Sequence, residues 1–438
     1  MIPAPRFYFL ICLCLLVTLV IATVGEVTIS ASLWGMLGCD LLLVILAVWD
    51  AQWVRKNRVK VERYPLSKLS IGRDNPVVIV VRAANRIARV KIKDYYPVEL
   101  AVSTTTLAGE VEPNSTRELS YSVHPHQRGE FTWGDIQVRQ LGSWGLAWHN
   151  WQVAATQKVA VYPDLVGLKS LSIRLAIANS GTMRQARRIG IGTEFAELRE
   201  YGIGDDTRMI DWKATARRSR PLVRVLEPQK EQTLIILLDR GRLMTATVKG
   251  MRRFDWGLNA TLSLALAGLN RGDKVGVGVF DRDVTTWIPP ERGQHQLSSL
   301  VERLTPIEPV LLEPDYFGAV TRLVTRQTRR ALVVLITDLV DVTASAELLA
   351  AMSRLTPRYL PFCVALRDPQ VDYLAHNCSE VEVEAAYTRA VALDLLSQRQ
   401  VAFAKLKQRG VLVLDAPVDQ ISDQLVDRYL QLKARNLL

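Results

Sequence analysis

The stretch Thr233–Asp239 reads TLIILLD, an unbroken aliphatic run closed by an acid. A run that is apolar on both faces of the pleat suits a strand buried on both sides, as in a parallel sheet covered by helices. The same texture returns in KVGVGVFD (Lys274–Asp281), ALVVLITDL (Ala331–Leu339), YLPFCVAL (Tyr359–Leu366) and VLVLDA (Val411–Ala416). Amphipathic stretches separate these runs, with helices expected around Phe254–Asn270, His295–Leu304, Tyr316–Gln327, Ala344–Leu355, Glu384–Gln408 and Ile421–Ala434. The alternation predicts an α/β doubly wound domain over residues 232–438. Ligands of such sheets bind beyond the carboxyl ends of the strands, where Asp239 and Asp338 stand.

Directly upstream lies GTEFAELREYGIGDDTRMIDWKATARRSRPLVR, Gly192–Arg224. Asp205, Asp206 and Asp211 are interleaved there with Arg208, Lys213, Arg217, Arg218 and Arg220, and Tyr201 and Trp212 stand between them. Mixed sign favours internal ion pairs over a grip on a polyanion. Gly202 and Gly204 permit a tight turn, Asp205 or Asp206 can cap a helix expected from about Thr207 to Arg218, and Pro221 stops it. The segment reads first as a clasp whose ion pairs tie it to the next domain. A partner-docking face using Arg217, Arg218 and Arg220 is the functional alternative. No His, Cys or Ser arrangement near the acids supports hydrolysis.

The run continuing to Glu231, ending VLEPQKE, resembles the signature of the bacterial domain-of-unknown-function family 58. Glu194, Arg199, Tyr201, Gly204, Asp205, Asp206, Arg208, Asp211, Trp212, Lys213 and Arg217 are its candidate signature and docking residues. The resemblance extends to the architecture: a membrane hairpin, a β domain, the signature, then a von Willebrand factor A-like domain. It implies a membrane-anchored adaptor or scaffold that works with a MoxR-type AAA+ ATPase in protein assembly or maturation, with no enzymatic activity of its own.

Asp239 and Asp338 are similar to the framework of the metal-ion-dependent adhesion site of von Willebrand factor A domains. There an Asp-x-Ser-x-Ser loop, a Thr and a second Asp hold magnesium. Here the loop reads DRGRL, and Gly241 and Leu243 replace both hydroxyl residues. A Mg²⁺ ion, which wants octahedral oxygen ligation, would be left with Asp239, Asp338, Asp315 or Thr337, and water. Arg240 and Arg242 could neutralise the acids instead. The site is therefore read as degenerate and without cofactor; the alternative is a metal-dependent adhesion or enzyme module using Asp239 and Asp338.

Toward the N-terminus the chain becomes apolar. Phe7–Val24 and Leu33–Trp49 read as two spans, about 7–24 and 30–50, of a transmembrane helical hairpin occupying residues 1–54. Arg6 precedes the first span, and Arg55, Lys56, Arg58, Lys60 and Arg63 follow the second. The positive-inside rule then predicts a multi-pass protein of the inner (plasma) membrane with the bulk of the chain cytoplasmic. A signal peptide fits less well, because a second span follows at once. Trp34, Trp49 and Trp53 suit interfacial anchors, and Asp40 is expected to bond Thr18 or another hydroxyl of the partner helix.

Residues 55–166 change to short β-branched runs such as VKVERY, PVVIVVRA and RELSYSVHP, which predict an antiparallel β-sandwich of roughly seven strands. His124 and His126 share a strand face there without a third ligand at fitting spacing. LGSWGLAWHNW, Leu141–Trp151, reads as a loop closing the sandwich or as a docking surface. Residues 167–231 form the linker and signature segment.

Composition agrees with a chain of several domains: 438 residues, 49% of them hydrophobic, supply more than one core. The net charge of +11 clusters beside the apolar segments, which points to lipid headgroups, and the interleaved acids elsewhere argue against nucleic acid. The 5 cysteines have neither Cys-x-x-Cys spacing nor a disulfide framework.

Overall fold

The computed structural model describes residues 2–24, 29–66, 68–189, 194–227, 232–339, 346–376 and 383–435. Contacts group the chain into two compact units, Met1–Tyr162 and Pro163–Leu438.

The first unit begins with two helices, α1 (Pro5–Val24) and α2 (Ile29–Lys56). Phe7 of α1 and Leu43, Ala47 and Ala51 of α2 are buried together with Leu146 and Ala147. Among the described residues, only Leu33–Lys56 is long and apolar enough to cross a membrane. Pro5–Ile21 of α1 is a shorter apolar helix among the described residues, so one of the two expected spans has a helix of spanning length there. The expected bond between Asp40 and Thr18 does not form. Thr18 donates back to the carbonyls of Cys14 at 3.0 Å and Leu15 at 2.9 Å, which satisfies its hydroxyl within its own helix, and Asp40 Oδ1 is buried without a hydrogen-bond partner among the described residues.

Behind the helices lie three sheets. One runs in the order Ile2–Pro3, Ala147–Val153, Ile136–Leu141, Ala88–Asp94, Leu107–Val111; a second runs Lys60–Arg63, Asn75–Arg82, Thr116–His124, Ala101–Val102. The third joins Leu69–Ser70, Gln157–Tyr162 and Gly129–Trp133. Their pairings are antiparallel except for Leu69–Ser70, which lies parallel to Gln157–Tyr162. Alternation does what the sequence demands: Val77, Ile79 and Val81 point inward, as do Ala88, Val90 and Ile92. The segment GEFTWGDIQVRQ, residues 129–140, forms parts of two strands. It breaks at Gly134, whose N–H donates to Tyr95 O at 2.7 Å, and its halves enter different sheets.

A buried polar knot ties the sheets together. The Arg63 guanidinium engages both oxygens of Asp94 and the carbonyls of Ala155 (2.7 Å) and Gly134 (2.9 Å). Tyr121 donates to Asp94 at 2.7 Å and accepts from Trp133 Nε1 at 3.2 Å. Within this knot Arg63, Asp94, Tyr121 and Trp133 thus find partners, which is the condition for keeping charge in a core.

The second unit starts with α3 (Leu165–Ile189), where Leu168, Leu171 and Leu175 form one helical stripe in the α/β core. The strands Glu194–Glu200 and Leu222–Glu227 then pair as an antiparallel hairpin around α4 (Trp212–Arg218). A six-stranded sheet follows in the order Val284–Glu291, Lys274–Phe280, Thr233–Asp239, Leu332–Thr337, Leu360–Arg367, Leu412–Pro417. All pairs are parallel except the edge strand Val284–Glu291.

Helices cover both faces: α5 (Arg253–Asn270), α6 (Gln294–Leu304), α7 (Tyr316–Arg326), α8 (Ala346–Ser353), α9 (Pro369–His376), α10 (Val383–Gln408) and α11 (Ile421–Ala434). The central strand shows why. Leu234, Ile236 and Leu238 enter one core with α5, α6 and α11, while Ile235 and Leu237 enter another with α7, α8 and α10. A strand with a core on each face has to be apolar at every position, which is the reading of TLIILLD.

Candidate functional site

The chain leaves Thr233–Asp239 toward Lys274–Phe280 on one side and reaches Leu332–Thr337 on the other. This reversal is the place where doubly wound sheets receive ligands, at the carboxyl ends of the two strands, and Asp239 and Asp338 stand there. Asp239 is fully buried. Its Oδ1 accepts from the Gly241 N–H at 2.7 Å, and its Oδ2 accepts from Thr337 Oγ1 at 2.7 Å and Tyr316 Oη at 3.2 Å. All these donors are neutral, so burial dominates and pushes the carboxyl up to about 6, against the pull of the hydrogen bonds.

Asp338 is treated differently. Arg399 Nη1 of α10 lies 2.7 Å from its Oδ1, and Arg253 Nη1, from the first residue of α5, lies 2.7 Å from its Oδ2. Arg399 also reaches Asp415 Oδ1 at 3.0 Å and the Leu339 carbonyl, while Arg253 donates to the Leu243 carbonyl at 2.9 Å. The guanidinium groups of Arg253 and Arg399 and the carboxylates of Asp338 and Asp415 therefore form one buried network.

This donor set does not fit a divalent cation. Both Asp338 oxygens already face cations, and Asp239 takes three hydrogen bonds. Gly241 leaves no room for the missing hydroxyl: a Cβ there would stand 2.8 Å from Leu312 O and 2.9 Å from Pro314 Cδ. The arginines that answer the aspartate are not Arg240 and Arg242, the pair expected from the loop. Arg240 turns to Asp281 (2.7 Å) and Arg242 to Glu313 (2.6 Å), because adjacent loops offer each a nearer acid. Asp315, a possible fourth ligand by sequence, caps α7 through the Gly318 N–H at 2.7 Å.

In the signature hairpin the helix expected over Thr207–Arg218 is two pieces. A 3₁₀ turn at Thr207–Met209 is capped by Asp206 through the Arg208 N–H, and α4 is capped by Asp211 through the N–H groups of Lys213 and Ala214, both at 3.0 Å. Between them Ile210 bridges to Val223, which pulls the backbone out of helix. Ser219, in the left-handed region at φ 52°, ends α4 before Pro221 is reached.

Asp205 accepts from the Gly202 N–H (2.8 Å) and Arg199 (2.5 Å), and both contacts hold its carboxyl below the usual range. Gly204 supplies the positive φ of that turn. Asp211 pairs with Arg224 at 2.7 Å, and its carboxyl is also held down. Arg220 pairs with Glu200 at 2.8 Å, which removes it from the set of unengaged cations. Glu194 opens the first strand opposite Glu227, and Tyr201 N–H closes the hairpin on Pro221 O at 2.9 Å. Arg208, Lys213, Arg217 and Arg218 are exposed and pair with no acid among the described residues. Trp212 is 70% exposed, and the turn places Ile203 fully in solvent.

Other acids and histidines fall into local roles. Asp281 shapes its own turn through the Asp283 N–H, and Asp368 does the same through Gln370. His124 Nδ1 lies 2.9 Å from Asp74, and no group of three metal-binding side chains occurs among the described residues. Cys378 lies outside the described residues.

Residues 197–403 match the family described as Protein of unknown function DUF58. Two relatives are similar over part of their length: Uncharacterized protein Rv1480 of Mycobacterium tuberculosis (strain ATCC 25618 / H37Rv) and Uncharacterized protein Mb1516 of Mycobacterium bovis (strain ATCC BAA-935 / AF2122/97). Each is 28% identical over 151 residues, 34% of this chain and 48% of the relative. The chain thus spans about half the length of the curated relatives it matches. Among solved structures, the conserved hypothetical protein BatB from Bacteroides thetaiotaomicron is 16% identical and covers 47% of this chain and 99% of its own, at a TM-score of 0.33. The C. elegans MSP family member WR4 is 11% identical and covers 24% of this chain and 98% of its own, at 0.17. Scores this low carry no argument about fold.

Proposed function

We propose that this chain is a membrane-anchored adaptor or scaffold, and that its signature hairpin is the face on which a protein partner docks. The observation that carries the reading is the exposed tip of that hairpin. Trp212 and Ile203 stand in solvent on the same hairpin as Arg208, Lys213, Arg217 and Arg218, which no acid engages among the described residues. A rigid frame with bulky apolar side chains and unengaged arginines is the composition of an interface anchor, not of a solvated turn. The capping acids keep the tip in one shape, so little ordering is left to be done on binding.

By its strand order the α/β region is read as a von Willebrand factor A-like domain in which an arginine–aspartate network stands where a metal would. Its work is binding, without cofactor and without catalysis. The partner proposed from the sequence resemblance is a MoxR-type AAA+ ATPase, acting with this chain in assembly or maturation of other proteins. The apolar α2 supports anchoring. With α1 as a second, shorter span, the protein would be multi-pass in the inner membrane, carrying its sheets and the α/β region in the cytoplasm.

The test is crosslinking in native membranes followed by detergent extraction and mass spectrometry. The unaltered chain should bring down an AAA+ ATPase, and Trp212→Ala together with Arg217→Ala should lose it while reaching the membrane in equal amount. Recovery of no ATPase sinks the partner. Equal recovery by the variants moves docking away from the hairpin.

A further inference from the structure

Trp144 sits on the tight loop joining Ile136–Leu141 to Ala147–Val153, and its ring lies 5.1 Å, centroid to centroid, from that of Trp49 on α2. The loop is fixed to the helix. Asp50, 3% exposed, accepts from the N–H groups of Trp144 and Leu146, each at 3.2 Å. Gly142 carries no side chain where the Asp50 carboxylate packs, and Leu146 and Ala147 complete the buried cluster with Ala47 and Ala51. Although so held, the two indoles remain half uncovered, Trp49 at 54% and Trp144 at 47%.

What flanks them along α2 is ordered. Leu41, Leu42 and Ile45 are exposed just before Trp49, Arg55 and Lys56 are exposed just after it, and Arg58 follows past the helix end, 3.0 Å from His149 Nε2. On the neighbouring helix the Arg6 side chain lies beside Gly145 of the same loop, 3.2 Å from where a Cβ would stand. At 1.5 Å rise per residue, apolar surface, aromatic pair and cations follow one another within about 25 Å. This is the sequence of acyl chain, interface and headgroup in a phospholipid leaflet.

We infer that the Gly142–Leu146 loop is a membrane-interface anchor in which Trp144 seats beside Trp49 at the boundary of acyl chains and headgroups, with Arg6, Arg55, Lys56 and Arg58 toward the phosphates. The inference rests on the reading of α2 as a membrane anchor. Such a loop gives the first unit a second point of attachment and stops it turning about the end of α2.

The test uses the full chain in nanodiscs of phosphatidylethanolamine and phosphatidylglycerol, with photoreactive benzoylphenylalanine placed singly at Trp144, Ser143, Leu42 or Val98. Ser143 is exposed on the same loop, and its replacement keeps the indole pair. Val98, 93% exposed, follows Asp94, which pairs with Ile136 at the far end of the strand from the loop. After irradiation, lipid-mass adducts are expected from positions 144, 143 and 42, and background from 98. Adduct at 42 with background at both 143 and 144 overturns the loop anchor and leaves the helix reading standing. Background at 42 as well overturns both, and adduct at 98 equal to that at 144 overturns the specificity of the contact.

Discussion

Arg399 Nη1 lies 2.7 Å from Asp338 Oδ1, and both side chains are removed from water. The same guanidinium serves Asp415, so its loss would leave Asp338 facing Arg253 alone and Asp415 facing Arg367 at 3.6 Å. Removing one member of a buried ion pair costs about 3 to 5 kcal/mol, because the partner stays buried and uncompensated. Arg399→Met should therefore lower the urea midpoint of the α/β transition by several kcal/mol equivalent. The double change with Asp338→Asn should recover part of that loss. Equal stability of Arg399→Met and the unaltered chain would mean that the network is not closed in solution.

Divalent metal should leave the chain's thermal midpoint where chelator leaves it. A cation bound at a hundred times its dissociation constant would add about 2.7 kcal/mol, well within the reach of a melting curve. Gly241→Ser restores a hydroxyl of the loop, yet its Cβ would press on Leu312 O and Pro314, so the expected result is a less stable protein that still ignores Mg²⁺. A rise in midpoint with millimolar Mg²⁺ in either protein revives the metal-dependent alternative.

Asp239 sets a pH dependence of definite sign. Its carboxyl is raised to about 6 in the folded state from an ordinary value of 3.8, so the native state holds the proton more tightly. The stability it contributes is full below pH ~4 and lost as pH rises through about 6, a difference on the order of 3 kcal/mol. Asp239→Asn should remove this slope. Subtracting the variant's stability from that of the unaltered chain, both by urea titration, should give a curve falling from pH 4 to 7. A flat difference excludes a raised carboxyl at this position.

The hairpin carries the opposite sign. Asp205 is held low by the Gly202 N–H and Arg199, and Asp211 by Arg224 and the Ala214 N–H, so their contribution is present above the ordinary carboxylate range and lost as pH falls. Asp211→Ala removes the α4 cap and the Arg224 pair together, whereas Arg217→Ala removes no ion pair. Limited proteolysis between Glu194 and Glu227 should become several-fold faster in the first variant and stay unchanged in the second. Equal rates in the two would mean that the acid does not order the tip.

Strands on which both faces meet a core were legible in the sequence, since TLIILLD and ALVVLITDL leave no position for water. Helices such as Ile421–Ala434 were legible from their stripes. What the local pattern could not supply was the partner of each charge. Arg217 stands nearer Asp211 in the chain, but the hairpin register brings Arg224 to it instead. Arg399 was visible in principle: it shares a helical face with Ala402, Phe403 and Leu406, and an arginine on a buried stripe asks for a buried acid. Only the sheet order could name Asp338 as that acid. The break in Thr207–Arg218 was hidden for a similar reason, because it depends on Ile210 finding Val223 across the hairpin.

The arginines around Asp338 turn one loop into a predictor of distant positions. Where a related chain carries hydroxyl residues at the places of Gly241 and Leu243, a cation and two guanidinium groups would compete for one carboxylate, and neutral residues should stand at the places of Arg253 and Arg399. Loop and helices should therefore change together across relatives, and an intermediate with both hydroxyls and both arginines should be rare.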